Sequence, residues 1–309
     1  MDPMHLSSII RPKSILVATD LNDLDFLLPV AIEQAKVTGA MIWLLHVIPP
    51  DPYASTESGA FPLTKKERAF GDAEAILAKV ANELRAQKLA CGYEVRRWYP
   101  VDRVTEFIRD RGIKRLIIGT SSRGKLRKLL LGSVAEELVR SLDIPVCTVG
   151  PHFKPMPKRN PCRVIFATSL RHDTEKSFQF AVELAAGLAA ELTVLYVLEQ
   201  DRQHDGMYAE AMSTIDEMLK ETTQKNLVSY PRIRCGEPAE EIVSECSALE
   251  PEFLVLDALP ASPMTAAFRT GVAYRVIAKA PCPTITLRAG AKIKQRQNGY
   301  ESSVVHSVS

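Results

Sequence analysis

Between Lys114 and Val149 the chain reads KRLIIGTSSRGKLRKLLLGSVAEELVRSLDIPVCTV, and residues suited to holding an anion crowd together there. Gly119 lets backbone pass close to a ligand, and Gly124 supplies flexibility where a side chain would crowd the turn. Ser121, Ser122 and Ser133 supply hydroxyls. Arg123, Lys125, Arg127 and Lys128 bring positive charge with no carboxylate among them. The apolar run Leu116-Ile117-Ile118 predicts a short buried strand ahead of this loop. The stripe Val134, Leu138, Leu142 predicts a helix that begins at Gly132-Ser133 and is closed by Pro145. Such an order of elements suits phosphate, because the first amides of a helix lack intrahelical partners and carry the positive end of its dipole. The same residues also describe an ordinary solvated basic loop capped by Ser133, and spacing alone leaves both readings open.

Other chemistries find less support. Gly119, four residues, then Gly124-Lys125 approaches the Walker pattern, but Leu126 stands where a hydroxyl must bind magnesium. No Ser/His/Asp or Cys/His arrangement is suggested by position, so no catalytic residue is assigned. Cys91, Cys147, Cys162, Cys235, Cys246 and Cys282 form no C-x-x-C pair, which favours reduced, inert thiols over a disulfide or metal framework. His46 lies inside the strand-like LLHVI and reads as a structural imidazole, so no zinc site is expected. The formal charge of +2 gives no footprint for nucleic acid. No apolar run is long enough for a membrane span, and the first residues lack the pattern of a secretory signal.

The elements that must position this loop occur twice. Ser14 to Asp20 predicts a first buried strand, Leu28 to Val37 a helix ended by Gly39, and Met41 to Ile48 a second strand. Thr64 begins a capping-box pattern for a long helix. Tyr93 to Trp98 and Val101 to Asp110 complete a strand and helix before the loop. After Gly150-Pro151 and the basic, proline-rich HFKPMPKRNP, the order restarts. Arg163 to Ser169 matches Ser14 to Asp20, Leu192 to Val197 matches the second strand, and Ala280 to Leu287 mirrors Leu142 to Val149. Strands alternating with helices predict parallel sheets covered on both faces, with ligands on the edge where the strands end.

In the second copy, aligning Pro283 with Pro145 puts Asp257 at Gly119, Pro260 at Ser122 and Ser169 at Asp20. Thr270 then falls at Gly132 and Gly271 at Ser133, or the register slips by one. The prolines at 260 and 263 remove amide donors, and Asp257 repels phosphate. No anion is expected there.

The loop resembles the nucleotide loop of the universal stress protein family: Gly, two residues, Gly, nine residues, Gly, then Ser or Thr. Gly119, Gly132 and Ser133 keep this register, and Ser122 replaces the second glycine. Arg123-Gly124, the leucines at 129 to 131 and Pro145-Val146 are also similar. So is Gly236-Glu237-Pro238 leading into a helix, where the first copy has Trp98-Tyr99-Pro100.

The resemblance implies two tandem Rossmann-like α/β domains of the adenine nucleotide alpha hydrolase type, each a five-stranded parallel sheet with helices on both faces. Their expected spans are 1–150 and 162–288, with a linker at 151–161 and a mobile tail at 289–309. It implies a cytoplasmic stress-response protein holding ATP, AMP or a related adenine nucleotide, with magnesium, in the first domain. The implied contacts are Asp20 for the adenosine, the Val47 main chain for the adenine edge, and Gly119, Ser122, Arg123, Gly124, Gly132, Ser133 and Val134 for the phosphates. It also implies pairing of the halves through their last strands, homodimers and an unknown protein client, with slow ATP hydrolysis at most. The related ATP pyrophosphatases use Ser-Gly-Gly-x-Asp-Ser after the first strand, and Ala18-Thr19-Asp20-Leu21-Asn22-Asp23 does not match it. The alternative is a scaffold of the same fold that binds no nucleotide.

Overall fold

The computed structural model describes residues 11–50, 63–120, 131–154, 160–170, 174–199, 206–222, 226–259 and 271–288. The expected linker core at 155–159 and tail at 289–309 lie outside them.

The first half runs β1 (Ser14–Thr19), α1 (Leu24–Thr38), β2 (Met41–Ile48), α2 (Leu63–Ala86), β3 (Cys91–Arg97), α3 (Pro100–Arg111), β4 (Leu116–Gly119), α4 (Ser133–Ser141) and β5 (Val146–Val149). The second runs β6 (Cys162–Thr168), α5 (Glu175–Leu188), β7 (Ala190–Leu198), α6 (Met207–Lys220), β8 (Ser229–Cys235), α7 (Pro238–Leu249), β9 (Phe253–Leu259), α8 (Val272–Lys279) and β10 (Thr284–Arg288). The strands form one 10-stranded sheet in the order β3-β2-β1-β4-β5-β10-β9-β6-β7-β8. The two five-stranded halves meet where β5 and β10 run antiparallel, Thr284 opposite Thr148 and Ile285 opposite Cys147, while the other described pairs are parallel. Thr148 Oγ1 donates to Thr284 O at 3.1 Å and Thr286 Oγ1 to Val146 O at 3.3 Å, so side chains reinforce the seam.

Strand alternation sorts the apolar residues between the two faces. Ile15 and Val17 pack with α1, α2, α5 and α6 on one side, whereas Leu16 packs with α3, α4, α7 and α8 on the other. Each cluster draws on both halves, so the halves share their cores.

Helix α1 starts a turn earlier than its sequence suggests and takes Pro29 inside it; the carbonyl that loses its partner belongs to exposed Asp25, within reach of water. It ends at Gly39, whose φ of 71° is left-handed and whose N–H bonds Ala35 O at 2.8 Å. Helix α2 already includes Leu63, so Thr64 stands in its first turn instead of capping it.

Arg115, just before β4, is 1% exposed. Its Nη1 donates to Gln34 Oε1 of α1 at 2.9 Å, and its guanidinium lies 5.0 Å from the Phe180 ring centroid of α5. Burial lowers the Arg115 pKa to about 10 and pushes the nearby Cys147 thiol up to about 12. One side chain thus joins helices of both halves at the edge where the strands begin.

Replacing Arg115 by Ala removes these contacts and opens a cavity, which should cost about 2–4 kcal/mol in urea unfolding. Arg115→Met fills the same space without a buried charge and should cost clearly less than Arg115→Ala.

Candidate functional site

The turn after β1 is built by side chains. Thr19 Oγ1 accepts the Leu21 N–H at 2.9 Å and donates to Asp23 Oδ1. Asp20 Oδ1 accepts the Asn22 N–H at 2.9 Å, a local turn that leaves the half-buried Asp20 at the sheet edge. Leu21 takes a left-handed φ of 73° to complete the bend. Asp23 occupies the N-cap position of α1, and its carboxylate makes no cap bond there.

The Asp23 carboxylate lies over Gly119 instead. A Cβ on Gly119 would stand 2.7 Å from Asp23 Oδ2, so any side chain at 119 would displace that group. Glycine at 119, expected to admit a ligand, admits Asp23. Asp23 is 5% exposed, and its pKa is raised to about 6 by burial; the Thr19 hydrogen bond opposes this and the Asp20 charge adds to it.

Strand β2 presents Val47 through its register. Met41 N–H bonds Lys13 O toward β1, Ile42 N–H bonds Ala90 O toward β3, and Ile48 O accepts from Trp98 N–H at 3.0 Å. Main-chain groups therefore alternate, with odd positions facing β1. The β1–β2 pairing ends at Thr19 opposite His46, so Val47 faces β1 one residue beyond that last pair. The His46 imidazole is structural as expected, Nδ1 lying 2.9 Å from Thr19 O.

At the other end of the site, Gly132 is the N-cap of α4 with extended angles, φ −62° and ψ 148°. Its N–H donates to Thr120 O at 2.6 Å, and Thr120 N–H donates to Val149 O at 3.0 Å. The Gly132 amide is thus directed into the protein. A Cβ at 132 would sit 3.3 Å from Thr120 O, a close approach that favours glycine. Ser133 is the first helical residue and not the cap. The first intrahelical bond is Glu136 N–H to Gly132 O, so the amides of Ser133, Val134 and Ala135 precede any helical acceptor. The Val134 side chain is exposed. Ser122, Arg123 and Gly124 lie outside the described residues.

The second half carries the same framework with its carboxylate supplied from the opposite element. Leu170 repeats the left-handed bend at φ 54°, and its N–H bonds Thr168 Oγ1 at 3.0 Å. Thr174 takes the place of Asp23, since Phe178 N–H bonds Thr174 O as Leu27 N–H bonds Asp23 O. The carboxylate comes from Asp257, opposite Gly119. Its Oδ2 accepts from Thr168 Oγ1 (3.1 Å), Ser169 N–H (3.1 Å), Ser169 Oγ (3.0 Å) and Thr174 Oγ1 (2.8 Å), and its Oδ1 from Ser177 Oγ (2.9 Å). Helix α8 is capped by Gly271 at φ −71° and ψ 153°, and Arg275 N–H bonds Gly271 O at 3.3 Å. Gly271 therefore plays the part of Gly132, and the register does slip by one.

This exchange of Asp23 and Gly119 for Thr174 and Asp257 is absent from the local motifs. Its one signal was an acid facing a glycine position between the copies. Gly119→Asp alone should destabilise the fold by about 2–4 kcal/mol, because two buried carboxylates then compete for one place. Adding Asp23→Thr should restore about 1–3 kcal/mol in a double-mutant cycle. With a raised native pKa, Asp23 binds more protons folded than unfolded from about pH 4 to 6. Wild-type stability should fall as pH rises through that window and level off above it, and Asp23→Asn should remove this component of the slope.

Compared with known proteins, the chain matches the universal stress protein family over residues 12–150 and 162–288. A universal stress protein of Methanocaldococcus jannaschii is 26% identical over 151 residues, covering 47% of this chain and 88% of its own. The crystal structure of a universal stress protein from Archaeoglobus fulgidus superposes with a TM-score of 0.71 at 19% identity, covering 91% of this chain and 98% of that one. A universal stress protein from Archaeoglobus fulgidus in complex with dAMP is 21% identical, with a TM-score of 0.34 over 41% of this chain and 98% of its own. The two matched segments span every strand from β1 to β10, and the chain belongs to the universal stress protein family as a tandem member.

Proposed function

We propose that the N-terminal half is a receptor for an adenine nucleotide, ATP or AMP, and that occupancy alters contacts with a protein client during a stress response. The adenine edge meets the Val47 main chain beyond the end of β1, the ribose hydroxyls meet Asp20, and a phosphate meets the amides of Ser133, Val134 and Ala135. These groups share one sheet edge, as ligands of open parallel sheets require. A relative solved with dAMP makes the ligand class reasonable. The observation that carries the reading is the α4 N-terminus, whose first three amides precede the Glu136–Gly132 bond.

Asp23 limits how much charge the site accepts. Its carboxylate lies beside Gly119 and near Asp20, so an ionised Asp23 opposes bare polyphosphate. A magnesium ion arriving with the nucleotide would offset this charge, since Mg2+ needs few protein carboxylates and keeps several waters. Arg123 and Gly124 are the residues proposed for phosphates beyond the first, with the Ser122 hydroxyl replacing a glycine. In the second half Asp257 gathers the donors at the matching place, so that half serves as a paired partner. The six cysteines are free thiols, which suits a cytoplasmic setting, and association of two chains is part of the same proposal.

Ser133→Pro tests the amide cradle with little harm to the helix. Proline is tolerated at the first helical position, and Gly132 already has the extended angles that a residue before proline needs. Titration calorimetry should show AMP or ATP binding to the wild type and about 10- to 100-fold weaker binding to Ser133→Pro, with unchanged thermal stability. Absence of heat with AMP, ADP and ATP in a protein that still binds a client would favour the scaffold instead.

A further inference from the structure

The strand order sets β1 between β2 and β4, and the β1–β4 pairing ends at Ala18 opposite Ile118. Thr19 and Gly119 therefore come next, side by side at the loop edge. A nucleotide with its base at Val47, its ribose at Asp20 and a phosphate at the α4 N-terminus crosses the end of β4 at Gly119 and Thr120. The Asp23 carboxylate stands under that crossing. Its Oδ2 would lie 2.7 Å from a Cβ on Gly119. Odd positions of β4 face the α1 side of the sheet, as Ile117 does, while Ile118 faces the side where α4 packs. The glycine backbone thus separates the carboxylate from the phosphate side by one layer.

A buried charge is screened little by water, so its field reaches groups that it does not touch. Among the described residues, the ionisable groups on the elements around Asp23 are these. Asp20 in the same turn adds a charge of the same sign that reaches it. Helix α1 carries the exposed Asp25, β2 carries His46 with Nδ1 held against Thr19 O, and α4 carries the buried Glu136 in its first turn. Strand β4, Leu116–Gly119, contributes no ionisable side chain. The second half treats its carboxylate differently, with donors from Thr168, Ser169, Thr174 and Ser177 converging on Asp257.

We propose that Asp23 sets how many phosphates the nucleotide of the N-terminal half carries: ionised, its field across Gly119 favours AMP over ATP, and protonated, it no longer discriminates. The inference rests on the nucleotide reading above and adds a selectivity residue and a pH dependence to it. Asp23 touches no part of the ligand and acts through space. Each added phosphate brings more negative charge into a field of the same sign, so the penalty rises from adenosine to AMP to ATP. Burial places the Asp23 pKa at about 6, so the carboxylate is charged in mild alkali and neutral in mild acid. Discrimination against ATP therefore fades as the pH falls through that value. By reciprocity, ATP favours the neutral acid and its binding takes up a proton.

Asp23→Asn tests this, since it removes the charge while keeping the size and an oxygen for the Thr19 hydroxyl. Asp23→Thr is a second variant, using the residue that the other half carries at this place as Thr174. Magnesium-free calorimetry with adenosine, AMP and ATP should be run at about pH 5 and about pH 8, on either side of the Asp23 pKa. At the higher pH both variants should bind ATP about tenfold tighter than the wild type, AMP about threefold tighter, and adenosine equally. At the lower pH wild type and variants should agree to within about twofold. A structural role would move adenosine as much as ATP and would not follow pH. If the variants bind ATP no tighter at the higher pH, shift adenosine equally, or gain as much at the lower pH, the selectivity role is overturned while the nucleotide reading stands. If neither wild type nor variants bind any of the three ligands at either pH, both fall.

Discussion

Only one carboxylate fits where the turn after the first strand of each half crosses the end of the fourth, buried as Asp23 in the first half and half-buried as Asp257 in the second. Two ionised groups at that spacing repel strongly where water is largely excluded, and an empty place would leave the Thr19 or Thr168 hydroxyl without its acceptor. The first half meets this constraint with Asp23 over Gly119, and the second with Asp257 over Thr174. The left-handed bends at Leu21 and Leu170 follow, since each amide turns back to the threonine hydroxyl that serves the carboxylate. The position of Asp20 at the sheet edge depends on the same bend.

The two solutions leave different edges. In the first half the carboxylate comes from the helix side, so β4 ends in glycine and its chain proceeds through Thr120 to the α4 N-terminus. In the second half the acid is on the strand, and hydroxyls from Ser169, Thr174 and Ser177 converge on it. The β5–β10 seam and the cores shared across it hold these unlike edges in one body, with Arg115 and Phe180 as one of the ties. The two tandem halves thus share a scaffold while their loop edges differ.

The fold was legible in the sequence because it rests on patterns that persist over many residues. Apolar runs at 14–19, 41–48 and 116–118 are short, rich in Ile, Val and Leu and bounded by polar or small residues, which reads as buried strands, and the repeated order marks the two halves. Termini were less clear: Pro29 disguised the first turn of α1, and Thr64 imitated a cap inside α2. The geometry around the candidate site was less legible. A glycine reads the same whether it makes room for a ligand or for another residue's carboxylate, so Gly119 concealed Asp23. The run Thr-Asp-Leu-Asn-Asp offers two acids, and tertiary packing decides which is buried. Sequence likewise gives no sign that the Gly132 amide is taken by Thr120 O. Gly271 was ambiguous because α8 is one residue shorter than α4.

A crystal structure of the full chain grown with AMP is the most direct measurement of whether the halves differ in this way. Nucleotide density is expected in the N-terminal half only, with the phosphate within hydrogen-bond distance of the Ser133 and Val134 amides and the base at the Val47 main chain. Density in the C-terminal half, or a phosphate bound away from the α4 N-terminus, would contradict it.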